Sequence, residues 1–107
     1  MAEPRPLSLA TVRVLMSIGT GARYGFDIMD ATGLPSGTIY PILARLEHAG
    51  LIRGRWESAT AAQREKRPAR RYYEVSAAGS KALTRSIELY RTLGGGFDTS
   101  APRPAHD

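Results

Sequence analysis

The sequence predicts a mainly α-helical domain with one small β-hairpin, class α+β. Three observations carry this. Apolar residues recur at helical spacing in four segments bounded by capping residues and glycines. Two short runs that alternate apolar and polar residues flank a polar, basic stretch. The chain has 107 residues, the length of one domain, which is enough for one core but not for a core plus a deep enclosed cleft.

Residues 1–7 hold two prolines and opposite charges and are expected to form a flexible arm. Ser8 can cap a helix over 9–19, with Leu9, Val12, Leu15 and Met16 on one face and Gly19 and Gly21 ending it. A second, two-turn helix is expected from Tyr24 to Ala31, carrying Ile28 and Met29 and closed by Gly33. A third places Ile39, Ile42, Leu43 and Leu46 on one stripe. Ser36 or Thr38 can supply its capping oxygen. Pro41 favours a regular helix starting near Thr38, since a proline one turn further in loses a backbone bond and meets the preceding turn. Leu51 to Glu57 reads as a strand with Ile52 and Trp56 on one face and Arg53 and Arg55 on the other. Residues 58–70 read as a polar loop, and Arg71 to Val75 as the returning strand. Ser76 can cap a last helix over 77–93 with Leu83, Ile87, Tyr90 and Leu93 as its stripe. Gly94 to Gly96 stop it, and the tail from 94 to 107 is expected to be disordered.

The order is helix, helix, helix, hairpin, helix. That is the order of a winged helix-turn-helix domain over 8–76, with the hairpin as the wing and 77–93 as a further helix.

Fifteen Lys and Arg against ten Asp and Glu leave a net charge of +5, which favours a polyanionic partner. With no cysteine, disulfides and thiolate metal sites are excluded. There is no apolar run of membrane-spanning length and no apolar stretch of a signal peptide, so a cytoplasmic protein with no membrane partner is expected. His48 and His106 are isolated, and no Cys nucleophile, Gly-rich phosphate loop or His paired with a carboxylate at metal-ligand spacing is visible. The expectation is a protein that is not an enzyme and needs no cofactor or metal.

From Tyr24-Gly25-Phe26-Asp27-Ile28 onward the chain resembles the PadR family of transcriptional regulators. The run G-T-I-Y-P-x-L-x-R-L-E-x-x-G-L is specific, and so is its pairing with R-R-Y-Y-x-V-S-x-x-G further along; the likeness covers about residues 7–93. It implies a dimeric bacterial repressor whose third helix enters the major groove, whose wing touches backbone or minor groove, and whose last helix dimerises. Many members respond to small aromatic or multidrug ligands. Only one helix follows the wing here, as in the short form of the family, so a large effector domain is not expected.

Candidate DNA contacts follow. Ser36, Gly37 and Thr38 at the start of the third helix let backbone amides approach phosphate, and the hydroxyls can reach base edges. One of the two hydroxyls is expected to serve as the cap instead. Tyr40 can reach a phosphate, or pack on the first helix. Arg45 can contact phosphate, or pair with Glu47 or Glu57. Tyr24 can meet the backbone across the groove, or pack in the core. Arg64, Lys66, Arg67, Arg70 and Arg71 are opposed in the loop only by Glu65, so they are expected to have no internal partners and to reach DNA, Lys66, Arg67 and Arg70 above all. Leu83, Ile87, Tyr90 and Leu93 are the expected dimerisation stripe, because part of it should be exposed in a monomer. Two copies would read a palindromic operator. Trp56 could stack on a flat effector, although an anchor between wing and core is the simpler role. The competing function is a winged-helix module that docks an acidic protein partner; it should show a more apolar third helix.

Overall fold

The computed structural model describes residues 6–94. The expected N-terminal arm falls outside the described residues except for its last two positions, and the expected disordered tail except for Gly94. Seven elements follow in order: α1 Leu9–Gly19, α2 Gly25–Thr32, α3 Ser36–His48, β1 Ile52–Trp56, α4 Ala59–Arg64, β2 Arg71–Val75 and α5 Ala77–Thr92. This is the three-helix, hairpin, helix order of the winged helix-turn-helix, with one short helix added inside the wing.

Ser8 caps α1, its Oγ accepting the Thr11 N–H at 3.2 Å. The buried residues of α1 are Thr11, Val12, Val14, Leu15, Ser17 and Ile18, a wider arc than the single stripe read from sequence. The reason is position: α1 packs against α2 and α3 on one side and against β2 and α5 on another, so it needs apolar residues on more than one face. Leu9, expected on the inward stripe, is half exposed instead.

The core joins Val14, Leu15 and Ile18 of α1 to Ile28 of α2, Ile39, Ile42, Leu43 and Leu46 of α3, and Ile52 of β1. Each fully buried Leu or Ile there contributes about 1.5–3 kcal/mol. The α3 stripe lies inward as its spacing predicts.

The start of α3 differs from expectation. The helix begins at Ser36, with Pro35 as its N-cap and no side-chain cap. The Thr38 and Ile39 amides both donate to the Pro35 carbonyl at 3.0 Å. Pro41 therefore sits inside the helix. Its missing N–H leaves the Gly37 carbonyl without its usual donor, but Gly37 and Pro41 are both exposed, so water or a ligand can satisfy that carbonyl.

β1 and β2 pair antiparallel, from Ile52 opposite Val75 to Trp56 opposite Arg71. The other edge of β2 is also used: Tyr24 bridges Tyr72, and the Tyr73 N–H donates to the Arg23 carbonyl at 2.8 Å. The wing is thus tied to the turn before α2. Trp56 does not anchor the wing to the core and is 66% exposed. Ile52 on the same face is buried, but four residues along, the hairpin has run past the edge of the core.

The segment read as a polar loop contains α4. Ser58 caps it, accepting the Ala61 N–H at 3.1 Å. At its end the Arg67 N–H reaches the Ala62 carbonyl and the Lys66 N–H the Gln63 carbonyl, which closes the last carbonyls of the helix. Lys66 takes the left-handed conformation there, at φ 55°.

Ser76 caps α5 through the Gly79 N–H at 3.0 Å and donates its own hydroxyl to the Gly50 carbonyl at 2.7 Å. On α5, Leu83 packs on the core. Ile87 and Tyr90 are half-buried, and the Tyr90 hydroxyl donates to the Leu7 carbonyl at 2.8 Å. Leu93 is 71% exposed.

Candidate DNA interface

The N-terminus of α3 is open. Without a capping side chain, the Ser36 and Gly37 amides have no helical acceptor, and the helix dipole puts partial positive charge at that end. The expectation that Ser36 or Thr38 caps the helix is corrected: neither hydroxyl makes a hydrogen bond within the described residues. The sequence Leu34-Pro35-Ser36 lets the Pro35 carbonyl take the place of a side-chain cap. Ser36 and Gly37 are exposed, and Thr38 is half-buried.

Tyr40 projects from the next turn and is half exposed. It lies against the start of α2, not on α1. A methyl group added at Gly25 would come within 2.2 Å of its hydroxyl oxygen. Gly25 thus makes room for the ring, which bridges α3 and α2 at the surface that carries the open helix end. Arg45 is exposed and pairs with neither carboxylate proposed for it, since Arg71 holds Glu47 and Arg67 holds Glu57.

Tyr24 is neither a core residue nor a free surface one. It is the extended N-cap of α2. The Arg70 guanidinium lies over its ring at 4.1 Å from the centroid. The Tyr72 ring meets it edge-on with centroids 5.7 Å apart. A cation held on an aromatic face keeps its N–H groups outward for another acceptor.

The expectation that the wing cations lack internal partners is also corrected. Arg67 forms a bidentate pair with Glu57, at 2.5 Å and 2.7 Å. Arg71 pairs with Glu47 and lies near the rings of Trp56 and Tyr73. These acids sit outside the loop, at the end of α3 and just after β1, and the hairpin register brings them back to it. Arg64, Lys66 and Arg70 make no ion pair among the described residues. Arg64 and Lys66 are exposed and Arg70 is half-buried.

Glu57 went unnoticed in the sequence as a structural centre. Its carboxylate also accepts the Tyr72 hydroxyl at 3.0 Å and the Arg70 backbone N–H at 3.3 Å. The Arg67 guanidinium, aided by these donors, holds the Glu57 carboxyl down to about 2, and the Glu57 carboxylate in turn pushes the Arg67 guanidinium up. The pair therefore stays ionised throughout the neutral range. The signal available in sequence was an acid and a base bracketing the wing loop.

Among the described residues no group of three or more His, Cys, Asp or Glu could hold a metal ion, and no helix is long and apolar enough to cross a membrane.

Residues 14–85 match the family model described as Transcriptional regulator PadR-like family. No curated protein matches significantly. Among solved structures, the chain is similar to a PadR family transcription regulator from Clostridium difficile, with TM-score 0.71 and 20% identity, over 81% of this chain and 92% of that one. A PadR-like transcription factor from Bacteroides fragilis gives 0.68 and 22%, over 78% and 82%. A Streptococcus transcriptional regulator gives 0.64 and 26%, over 78% and 83%.

Proposed function

The chain belongs to the PadR-like family of transcriptional regulators, and from that premise we propose that it is a homodimeric repressor that occupies a palindromic operator in the bacterial cytoplasm. The family's task is DNA-binding regulation and not catalysis. The observation that carries the reading is the open N-terminus of α3, with two unbonded hydroxyls, beside a wing whose Lys66 and Arg70 make no ion pair. In use, the Ser36 and Gly37 amides meet a phosphate. Thr38 reads a base edge, with Tyr40 and Tyr24 directed to the flanking backbone. The unpaired wing cations follow the backbone or enter the adjacent minor groove.

The dimer reading rests on the apolar residues left at one end of the molecule. These are Ile87 and Tyr90 of α5, Leu93 just past its end and Leu9 of α1, where the Tyr90 hydroxyl bonds the Leu7 carbonyl ahead of α1. A second copy covers that surface by two-fold symmetry. Leu9 is thereby added to the stripe read from sequence. The exposed indole of Trp56 is the flat face on which a small aromatic effector would stack. A protein-docking module is not favoured, because the outer side of α3 presents Ser36, Gly37, Tyr40, Pro41, Ala44, Arg45 and His48 and no large aliphatic side chain.

Thr38→Ala tests the assignment of base readout. On an operator and its single-base variants, the substitution is expected to flatten preference at one position per half-site by about fivefold, the worth of roughly 1 kcal/mol. Equal weakening on every variant contradicts it.

A further inference from the structure

Glu57 presents an electrostatic paradox. A carboxylate at the root of a cationic wing repels the phosphate backbone that the wing is read as meeting. Yet its side chain is only 8% exposed, and four donors converge on it: both terminal nitrogens of Arg67, the Tyr72 hydroxyl and the Arg70 backbone N–H. The three residues that supply them come from different parts of the wing. Arg67 lies just beyond α4, next to the left-handed Lys66. Arg70 enters β2 and stacks on Tyr24. Tyr72 lies within β2 and touches Tyr24 with its ring edge. The Glu57 N–H adds a bond to the Arg70 carbonyl at 2.7 Å. One carboxylate therefore gathers both ends of the loop and, through two aromatic rings, the start of α2.

We propose that Glu57 is a positioning residue for DNA binding, a clasp that holds Lys66 and Arg70 in place beside α2 so that they need not be ordered when the duplex arrives. This rests on the DNA-binding reading above. A long polar loop that orders only on binding loses affinity to that ordering, and a loop held in advance does not. Arg67 then works inside the clasp and not on phosphate.

Electrostatics alone and the clasp give opposite signs for Glu57→Gln. The substitution raises the net charge by one, which by itself tightens binding to any duplex. The clasp requires weaker binding.

The test uses the full chain and a fluorescein-labelled duplex of mixed sequence in dilute salt, read by anisotropy. Glu57→Gln is expected to weaken binding about tenfold, and Arg67→Gln to do the same. The double variant is expected to be no weaker than either alone, because both break one device. The helical circular dichroism should be unchanged, while the fluorescence of Trp56, the single tryptophan and the neighbour of Glu57, should depolarise as the wing loosens. Glu57→Gln binding as tightly as the unsubstituted chain or more so overturns the clasp and leaves the DNA-binding reading standing. So does a double variant whose loss is the product of the two single losses. An unsubstituted chain that ignores the duplex overturns both. If Glu57→Gln fails to fold, Arg67→Gln decides alone, and affinity within about twofold of the unsubstituted chain overturns the clasp.

Discussion

Gly79→Ala is expected to destabilise the protein by about 3 kcal/mol, lowering the thermal midpoint by about 15 °C. Helix propensity argues the other way, since alanine is the better residue in a helix by about 1 kcal/mol. Packing decides the sign. Gly79 is buried in the first turn of α5, and a methyl group there would lie 1.9 Å from the Leu51 carbonyl oxygen and 2.8 Å from a Val75 methyl. The Leu51 carbonyl cannot retreat freely, because it accepts the Ser76 N–H at 3.0 Å. Ser76 in turn caps α5 through the Gly79 N–H and holds the Gly50 carbonyl. Room for the methyl group comes only by lifting α5 off the base of the hairpin. Thermal and urea unfolding monitored by circular dichroism check this; an unchanged or raised midpoint contradicts the packing described.

The second large effect concerns charge. A chain carrying Arg64→Ala, Lys66→Ala and Arg70→Ala together is expected to bind duplex DNA about a hundredfold more weakly near physiological salt. The slope of log affinity against log salt should become shallower by about 2–3 per subunit, since each lost phosphate contact removes roughly 0.9. Arg71→Ala is the contrast. Its guanidinium is committed to Glu47, so its loss should lower stability and leave the salt slope nearly unchanged. Lys66 adds a structural reason to expect a role for its charge. It holds a left-handed backbone at φ 55°, which costs a side-chain-bearing residue about 1 kcal/mol and which glycine adopts freely. Strain kept at a wing tip fits a side chain needed there. Salt titrations of the triple and single variants check the assignment, and an unchanged slope in the triple variant contradicts it.

Most of the architecture was legible because the longer helices carry an apolar period and most of their ends carry a capping residue or a glycine. Ser8 and Ser76 cap α1 and α5 as their positions in the sequence suggest, and the stripe Ile39, Ile42, Leu43 and Leu46 faces the core. What the sequence hid was tertiary or too short to show a period. Helix α4 has six residues and one buried side chain, Ala62, so no stripe could reveal it; only Ser58 followed by alanines hinted at a capped turn. The start of α3 was misplaced by applying a sound rule about Pro41 without knowing that the carbonyl it frees faces solvent. Trp56 looked like an anchor because alternation gives the face of a strand and not the point where the core beneath it ends. Arg67 and Arg71 looked unpaired because their carboxylates, Glu57 and Glu47, lie outside the loop and reach it only through the hairpin register.

The reading as a whole stands on two α3 helices presented together to one duplex. Binding-site selection from a random duplex library, followed by sedimentation of the complex on the enriched sequence, addresses this directly. The expected result is an inverted repeat whose half-site centres lie about one helical turn, roughly 34 Å, apart, occupied by two chains. Enrichment of a single unrepeated motif bound by one chain, or no enrichment at all, contradicts it.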